Sequence, residues 1–454
     1  MPRSFWLDSK DAPALCAPLE GATETDLAVV GGGLAGLWAA ILAKEDEPSR
    51  DVVLLEADAV AHGATGHSGG FIVSSLTHGV NNGLARFAGE MPVLERLGRE
   101  NFDETRASLE RYAIDCDLEL SGELTVALEP HEEAWLAEEA ETLRRFGHDA
   151  VLLDAEAVRA EVRSPTYRAG VWQRSSAGIL QPAKLAWGLK RAALELGVRI
   201  FEGSRVTGLR PAGGGVELAT RQGRVTAARA LLTTGAFRSP VRAVRRRIVP
   251  VWDYVLVTEP LDAARLASLG WAHRQGVGDS GNQFHYYRLT ADDRVMWGGY
   301  DAVYNFGNGV GPQLRQRDAT FARLAQHFFT TFPQLEDVRF THRWGGPIDT
   351  CSRFSAFFGT SHRGRVAYAA GHTGLGIGAS RFGARVALDL LAGRRTEATE
   401  LRYARTRPVP FPPEPLRWAV IQLTRNRLAA ADRHQGRRGL WLRLLDRLGL
   451  GFDS

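Results

Sequence analysis

Three glycines and one acid form the most informative chemical grouping in the chain. Gly31-x-Gly33-x-x-Gly36 follows an apolar run, Leu27 to Val30, and opens an Ala-rich stretch; a second apolar run, Val52 to Leu55, ends in Glu56. Gly31 permits a tight turn, Gly33 lets backbone amides approach a pyrophosphate, and Gly36 lets a helix pack closely on the strand. Leu34 and Ala35 belong to the first helical turn, whose aligned dipoles attract phosphate. Glu56 suits ribose hydroxyls and repels a 2′-phosphate, with Ala57 beside it at the same strand end. Strand, glycines, helix, strand and acid in this register predict an ADP-containing cofactor.

Further glycine-rich stretches extend the candidate cofactor site. The run Ala61 to Phe71 supplies Gly63, Ala64, Thr65, His67, Ser68, Gly69 and Gly70. Val206 and the strand-like Ala230 to Ala236, with Thr234 and Gly235 at its end, come next. Gly371-His-Thr-Gly-Leu-Gly376 follows the strand-like Val366 to Ala370 and adds Gly371, Gly374, Leu375 and Gly376. Strand ends near residues 30, 232 and 368 therefore face one cofactor. Assembly from such distant pieces is unlike a simple nicotinamide dehydrogenase and suits a flavin, whose ring lies buried between two domains. Gly374, Gly376 and Gly378 let backbone amides reach the N1–C2=O edge of that ring, where a helix dipole stabilises the reduced form.

Substrate chemistry is assigned to fewer residues. Tyr286 and Arg288 share one face of a strand, and a guanidinium fork there suits a carboxylate or phosphonate; its alternative is an ion pair with Asp292 or Asp293. His372, before the closing glycines, is a candidate for hydrogen bonding to the ring or for proton transfer, and Trp344 for the pocket wall. Trp252, Asp253 and Tyr254 are further pocket candidates, while His285 points the opposite way from Tyr286.

The elements that must position these residues follow from pattern. Helical apolar spacing marks residues 93–115 and 131–147, Ala183 to Leu196, and Ala319 to Phe332. Short strands are expected at Val198–Phe201, Val206–Arg210, Val216–Ala219 and Arg224–Ala227, with β patterns from Ile248 to Gly299. The fold class is α/β: a Rossmann-like cofactor domain from residues 1–90, 175–245 and 355–400, with an inserted mixed-sheet substrate domain from 91–174 and 246–354. At 454 residues, two interlocked domains are expected. Residues 1–25 are expected as a leader over the surface, and residues 401–454 as a helical extension packed on the body. That extension carries eleven arginines against Glu414, Asp432, Asp446 and Asp453, although the whole chain has a net charge of only +4.

The residues also resemble a known family, the D-amino-acid oxidase-like FAD-dependent oxidoreductases, in their gamma-glutamylputrescine oxidase and glycine or sarcosine oxidase branch. The resemblance spans about residues 26–395. It rests on the first fingerprint, Gly63-Ala-Thr-Gly-His-Ser-Gly-Gly70, Tyr286 to Arg294 leading to Gly298-Gly299, Trp344-Gly-Gly with Thr350-x-Ser-Arg353, and Gly371 to Gly376. It implies FAD and oxidation of the C–N bond of a small amine or amino-acid-like substrate, with hydride transfer to flavin N5. The imine is then hydrolysed, and the electrons pass to oxygen or another acceptor. Two departures stand out. His67-Ser68 replaces an Arg-Asn pair; the histidine is similar to the one that dimethylglycine and sarcosine dehydrogenases bond to the flavin 8α-methyl. Covalent attachment and a hydrogen bond to non-covalent FAD are both open for His67. Phe354 stands where the family usually has proline, which puts that segment's contribution to the pocket in question.

Other classes fit less well. Cys16, Cys116 and Cys351 form no Cys-x-x-Cys pair, which argues against a dithiol reductase or zinc site, and no metal is expected. A halogenase-type Trp-x-Trp run is absent. The alternative from another class is a tRNA-modifying FAD enzyme that grips phosphate with the Arg-rich tail, but nucleic acid is not the favoured partner. No stretch is long and apolar enough for a signal peptide or membrane span, so a cytoplasmic location is expected. The oligomeric state is left open.

Overall fold

A computed structural model describes residues 4–450. Met1 to Arg3 of the expected leader and Gly451 to Ser454 of the tail lie outside the described residues. Two sheets dominate. The first strand, Gly21–Val30, pairs in parallel with Val52–Leu55 on one side and with Gly223–Leu232 on the other. Arg199–Phe201 and Val366–Ala370 extend the parallel sheet at either end. Antiparallel strands Phe357–Ser361, Gly208–Ala212 and Gly215–Ala219 complete it. Parallel strands covered on both faces read as continuous apolar runs, which is why Val52–Leu55 and Val366–Ala370 are buried at every position. Helices Leu34–Asp46, Pro182–Glu195 and Gly376–Ala392 pack together on this sheet.

The second sheet has nine strands and is mainly antiparallel. Its long centre is Val249–Thr258 paired with Phe340–Thr350, followed outward by Val295–Gly299, His285–Leu289 and Gly276–Asp279. Glu123–Ala127, Ala169–Gln173 and Ala150–Leu153 finish that side. Alternation along these strands divides their side chains between two cores. Val255, Val257 and Met296 face the cofactor-side core, whereas Trp252, Tyr254, Tyr287 and Trp297 fill a separate aromatic core beneath helix Asp318–Thr331.

Several expectations change. The runs Arg224–Ala227 and Ala230–Ala236 are not two strands; Gly223–Leu232 is continuous, because its partner Gly21–Val30 is equally long and pairs along its whole length. The strand expected at Val206–Arg210 begins at Gly208, which leaves Val206 in a loop. The leader lies over the surface only in part: most of residues 8–18 are exposed, but its start is buried. Trp6 is 1% exposed and donates from Nε1 to the Ser68 carbonyl at 2.8 Å, while the Ser4 hydroxyl donates to the Gly66 carbonyl. The chain entry thus buttresses the glycine-rich loop from behind. In the tail, helix Leu416–Arg433 is fixed by Asp432, whose carboxylate accepts from Asn282 and Gln283, and by Glu414, which accepts from the Gly307 amide at 3.0 Å. The cysteines form no disulfide.

Candidate active site and cofactor cradle

A cavity of about 1170 Å³ runs from the first βα turn to the inner face of the nine-stranded sheet. At its phosphate end, Gly31 has φ +113°, and a Cβ there would sit 2.6 Å from the Thr233 carbonyl oxygen. A Cβ on Gly36 would lie 1.9 Å from the Gly31 carbonyl oxygen, so only glycine lets the helix start so near the turn. Gly33 caps helix Leu34–Asp46 without a side-chain hydrogen bond of its own; the Leu34 amide makes only a long contact to Thr65 Oγ1 at 3.4 Å, so an anion can compete for the first-turn amides. Gly31, Gly33, Leu34 and Ala35 line the cavity; Gly36 serves packing.

Glu56 and Ala57 line the next part of the wall. The Glu56 carboxylate already accepts from the Gly32 amide at 2.6 Å and the Asp58 amide at 2.9 Å. Burial pushes its pKa up, and those amides oppose the shift. Each carboxylate oxygen keeps a second lone pair, so the acid can hold the turn and still receive ribose hydroxyls. Val206, Thr234 and Gly235 line the opposite wall.

The loop from Gly63 to Gly70 crosses the middle of the cavity, where Gly63, Ala64, Thr65, His67, Ser68, Gly69 and Gly70 all face it. The paired glycines have a steric cause. A Cβ on Gly69 would meet the Tyr286 ring at 2.6 Å, and one on Gly70 (φ +79°) would meet the Leu180 carbonyl oxygen at 2.4 Å. His67 Nδ1 donates to the Gly63 carbonyl at 2.8 Å, which leaves the acceptor lone pair on Nε2. That Nε2 is buried with no protein partner, and burial lowers the imidazole pKa to about 4. At the far end, Gly374 and Leu375 lead into Gly376, the first residue of helix Gly376–Ala392, whose N-cap also lacks a side-chain hydrogen bond. Added Cβ atoms at Gly374 and Gly376 would meet almost nothing, so the backbone is open to a ligand. Two uncapped helix starts, a ribose acid and an orphaned buried imidazole along one cavity fit a flavin adenine dinucleotide.

A family model described as DAO, FAD dependent oxidoreductase, matches residues 26–390. The chain belongs to this family of FAD-dependent oxidoreductases. It is 32% identical over 397 residues to gamma-glutamylputrescine oxidoreductase of Escherichia coli, covering 86% of this chain and 89% of that protein. It is 29% identical over 403 residues to probable oxidoreductase OrdL of Haemophilus influenzae, covering 86% and 88% respectively. Among solved structures, glycine oxidase from Geobacillus kaustophilus superimposes with a TM-score of 0.71 at 19% identity, covering 85% of this chain and all of that one.

Within the DAO fold, the expected substrate residues separate. Tyr286 lines the cavity, and its hydroxyl donates to Asp253 Oδ2. Arg288 lies on the same sheet face but does not reach the cavity. Its guanidinium is spent on the carbonyls of Leu180 (2.7 Å), Gly70 (3.1 Å) and Leu289 (3.0 Å), and Asp292 pairs with Arg294 instead. Arg288 therefore clamps the back of the Gly69-Gly70 loop, with burial lowering its pKa to about 10. Trp344 is likewise behind the loop: it is fully buried, outside the cavity lining, and donates from Nε1 to the His67 carbonyl at 3.1 Å. Gly371 does not line the cavity either; its amide donates to Asp349 Oδ2 at 2.8 Å. His372 does line it, yet its Nε2 lies against helix Gly376–Ala392, where a Cβ on Gly383 would be 3.0 Å away. Nε2 is buried without a hydrogen-bond partner, and Nδ1 lies 3.6 Å from Asp349 Oδ2.

Of the three pocket candidates near residue 253, only Asp253 faces the site; Trp252 and Tyr254 belong to the aromatic core. His285 turns away from the cavity, as expected, and pairs with Asp279 at 2.6 Å. Sequence reasoning missed Asp349, Glu123 and Glu139, which line the cavity from separate elements. Alternation could have placed Glu123 on the Tyr286 face only if the strand pairing were known. The tail enters the site as well: Ile421, Thr424 and Leu428 of helix Leu416–Arg433 close one mouth of the cavity. Phe354 also lines the cavity, while Arg353 beside it anchors that segment to the carbonyls of Tyr403 and Thr406.

Proposed function

We propose that this protein oxidises the C–N bond of a small amine to an imine, which water hydrolyses. The observation that carries the reading is the Asp253–Tyr286 pair at the inner end of the cavity. Because the Tyr286 proton is committed to Asp253, its oxygen offers the cavity lone pairs only. An acceptor of this kind suits the N–H groups of an amine, whereas the guanidinium that would favour a carboxylate is engaged elsewhere. Asp253 also accepts from the Tyr254 amide at 2.8 Å, so the carboxylate and phenol are held in one geometry.

FAD, when bound, would supply the two-electron oxidation of the amine, with oxygen or another acceptor taking the electrons. The chain's part is positioning and electrostatics. The two uncapped helix starts would hold the pyrophosphate and ring edges, and Glu56 the ribose. Tyr286 orients the amine, and the apolar walls exclude water. His67, through its unpartnered Nε2, would be the residue beside the flavin. Colour that remains in an acid-precipitated pellet identifies that contact as a covalent bond; colour that leaves identifies it as non-covalent. A cytoplasmic enzyme is the accompanying reading; among the described residues no helix is long and apolar enough to cross a membrane.

Aerobic incubation with an amine and amino-acid panel tests the reading. We expect one class of amine to yield a carbonyl product with uptake of oxygen or reduction of an added dye. FAD-loaded enzyme that leaves every amine intact with both acceptors contradicts it.

A further inference from the structure

One arm of the cavity lies away from the Asp253–Tyr286 pair and is acidic. In the nine-stranded sheet Tyr286 pairs with Gly278, and Gly278 with Thr125. Paired residues share a face, so Thr125 and Glu123, two residues along, look into the cavity on the Tyr286 side. With strands ~4.8 Å apart and a rise of ~3.3 Å per residue, Glu123 and Tyr286 are about 12 Å apart along the sheet. Helix Pro130–Arg145 packs against Glu123–Ala127 and contributes Glu139, which also lines the cavity.

These acids lack what buried carboxylates ordinarily have. Burial alone raises the Glu123 pKa to about 7; Glu139 is raised to about 7 by burial and by the Glu123 charge, and no cation of the chain offsets either shift. Glu139 Oε2 is buried with no hydrogen-bond partner. Behind them, Glu95 is already balanced, with His148 Nε2 at 2.7 Å and Arg99 at 4.0 Å, while His148 Nδ1 is another buried atom without a partner. No acid or histidine cluster among the described residues is arranged to hold a metal ion. Two uncompensated carboxylates and two orphaned polar atoms in a cavity arm call for an organic cation with several N–H donors.

We propose that Glu123 and Glu139 form a distal ammonium subsite, so that the substrate is an elongated amine with a second cationic group about 12 Å from the Tyr286 contact. The inference rests on the amine-oxidation reading and deepens it. One end of the substrate meets Tyr286 and is oxidised; the other is held by the two carboxylates, and its methylenes lie along the sheet face between them. Length and charge at the far end then set specificity.

Spermidine and octylamine test this, since they are similar in length and only the first carries distal charge. In FAD-loaded wild-type enzyme we expect KM for spermidine to be well below that for octylamine. In the Glu123→Gln/Glu139→Gln double variant, KM for spermidine should rise about tenfold or more with kcat nearly unchanged, and octylamine kinetics should not move. The Gln side chains keep the shape, and FAD content and Tm report whether the variant is folded; the single Glu139→Gln variant replaces it if it is not. An unchanged spermidine KM, or equal changes for both amines, overturns the subsite. Equilibrium binding of spermidine, followed through the flavin absorbance, separates the two claims. Binding that is lost in the variant supports the subsite even if no amine is oxidised, and absence of binding to wild type overturns it.

Discussion

At the residue scale, the site is organised by who already holds each polar group. Asp253 is pushed up to about 6 by burial, with the Tyr286 hydroxyl opposing the shift. Below that pH its carboxyl takes up a proton and no longer fixes the phenol as an acceptor. We therefore expect kcat/KM for an amine to fall by about tenfold per pH unit below about 6, and the Asp253→Asn variant to lose this acid limb. Tyr286→Phe should retain FAD and lose activity by about tenfold or more, read as a higher KM with slower flavin reduction. Arg288→Met should behave differently. It leaves the Leu180 carbonyl without its donor, while Gly70 keeps the Leu180 amide at 2.8 Å, so a stability loss of about 1–3 kcal/mol is expected by denaturant unfolding. His67→Ala should purify with less flavin than wild type, and the absorbance ratio of flavin to protein checks this. Arg288 also shows where residue-level reading ends. Sequence alternation places it correctly on the Tyr286 face, but its alignment with the loop carbonyls depends on Gly70 and Leu180, which lie 218 and 108 residues away.

At the element scale, legibility follows locality. The first βα turn could be read because its causes sit within a few residues: the Gly31 carbonyl excludes any side chain at Gly36, and Glu56 reaches Gly32 directly. Gly36→Val should consequently abolish flavin retention even if the protein accumulates, since the helix start would have to move. The ends of Val366–Ala370 were equally legible because a strand buried on both faces is apolar throughout. The nine-stranded sheet was not, since its register joins Glu123 to Gly276 and Asp253 to Gly346 across long insertions. The tail shows the same limit. Its apolar spacing suggested packing on the body, but only the fold reveals that Ile421 and Leu428 wall the cavity while Asp432 ties the helix to Asn282 and Gln283. Asp432→Ala should loosen this closure and speed proteolysis within residues 416–433, with substrate affinity reduced and FAD retained.

At the scale of the whole molecule, the two sheets enclose a cavity and place buried acids inside it. Asp253, Glu123 and Glu139 have folded-state pKa values raised to about 6, 7 and 7 by burial, above their ordinary values near 4. The folded state thus holds protons that the unfolded chain has released, and these groups disfavour folding progressively as pH rises from about 4 to about 7. Their contribution predicts a Tm that declines over that interval, with part of the decline removed in the Glu123→Gln/Glu139→Gln variant. The proposed function depends on the same enclosure, because FAD would fill the cavity from the Gly31 turn to the Gly376 helix for an amine at Tyr286 to react. Anaerobic mixing of the purified protein with an amine panel, followed in the visible flavin band, tests that dependence most directly. A bound flavin spectrum that bleaches with an amine and returns with oxygen or an added acceptor is expected. A protein that cannot be loaded with FAD, or a bound flavin that no amine bleaches, would contradict it.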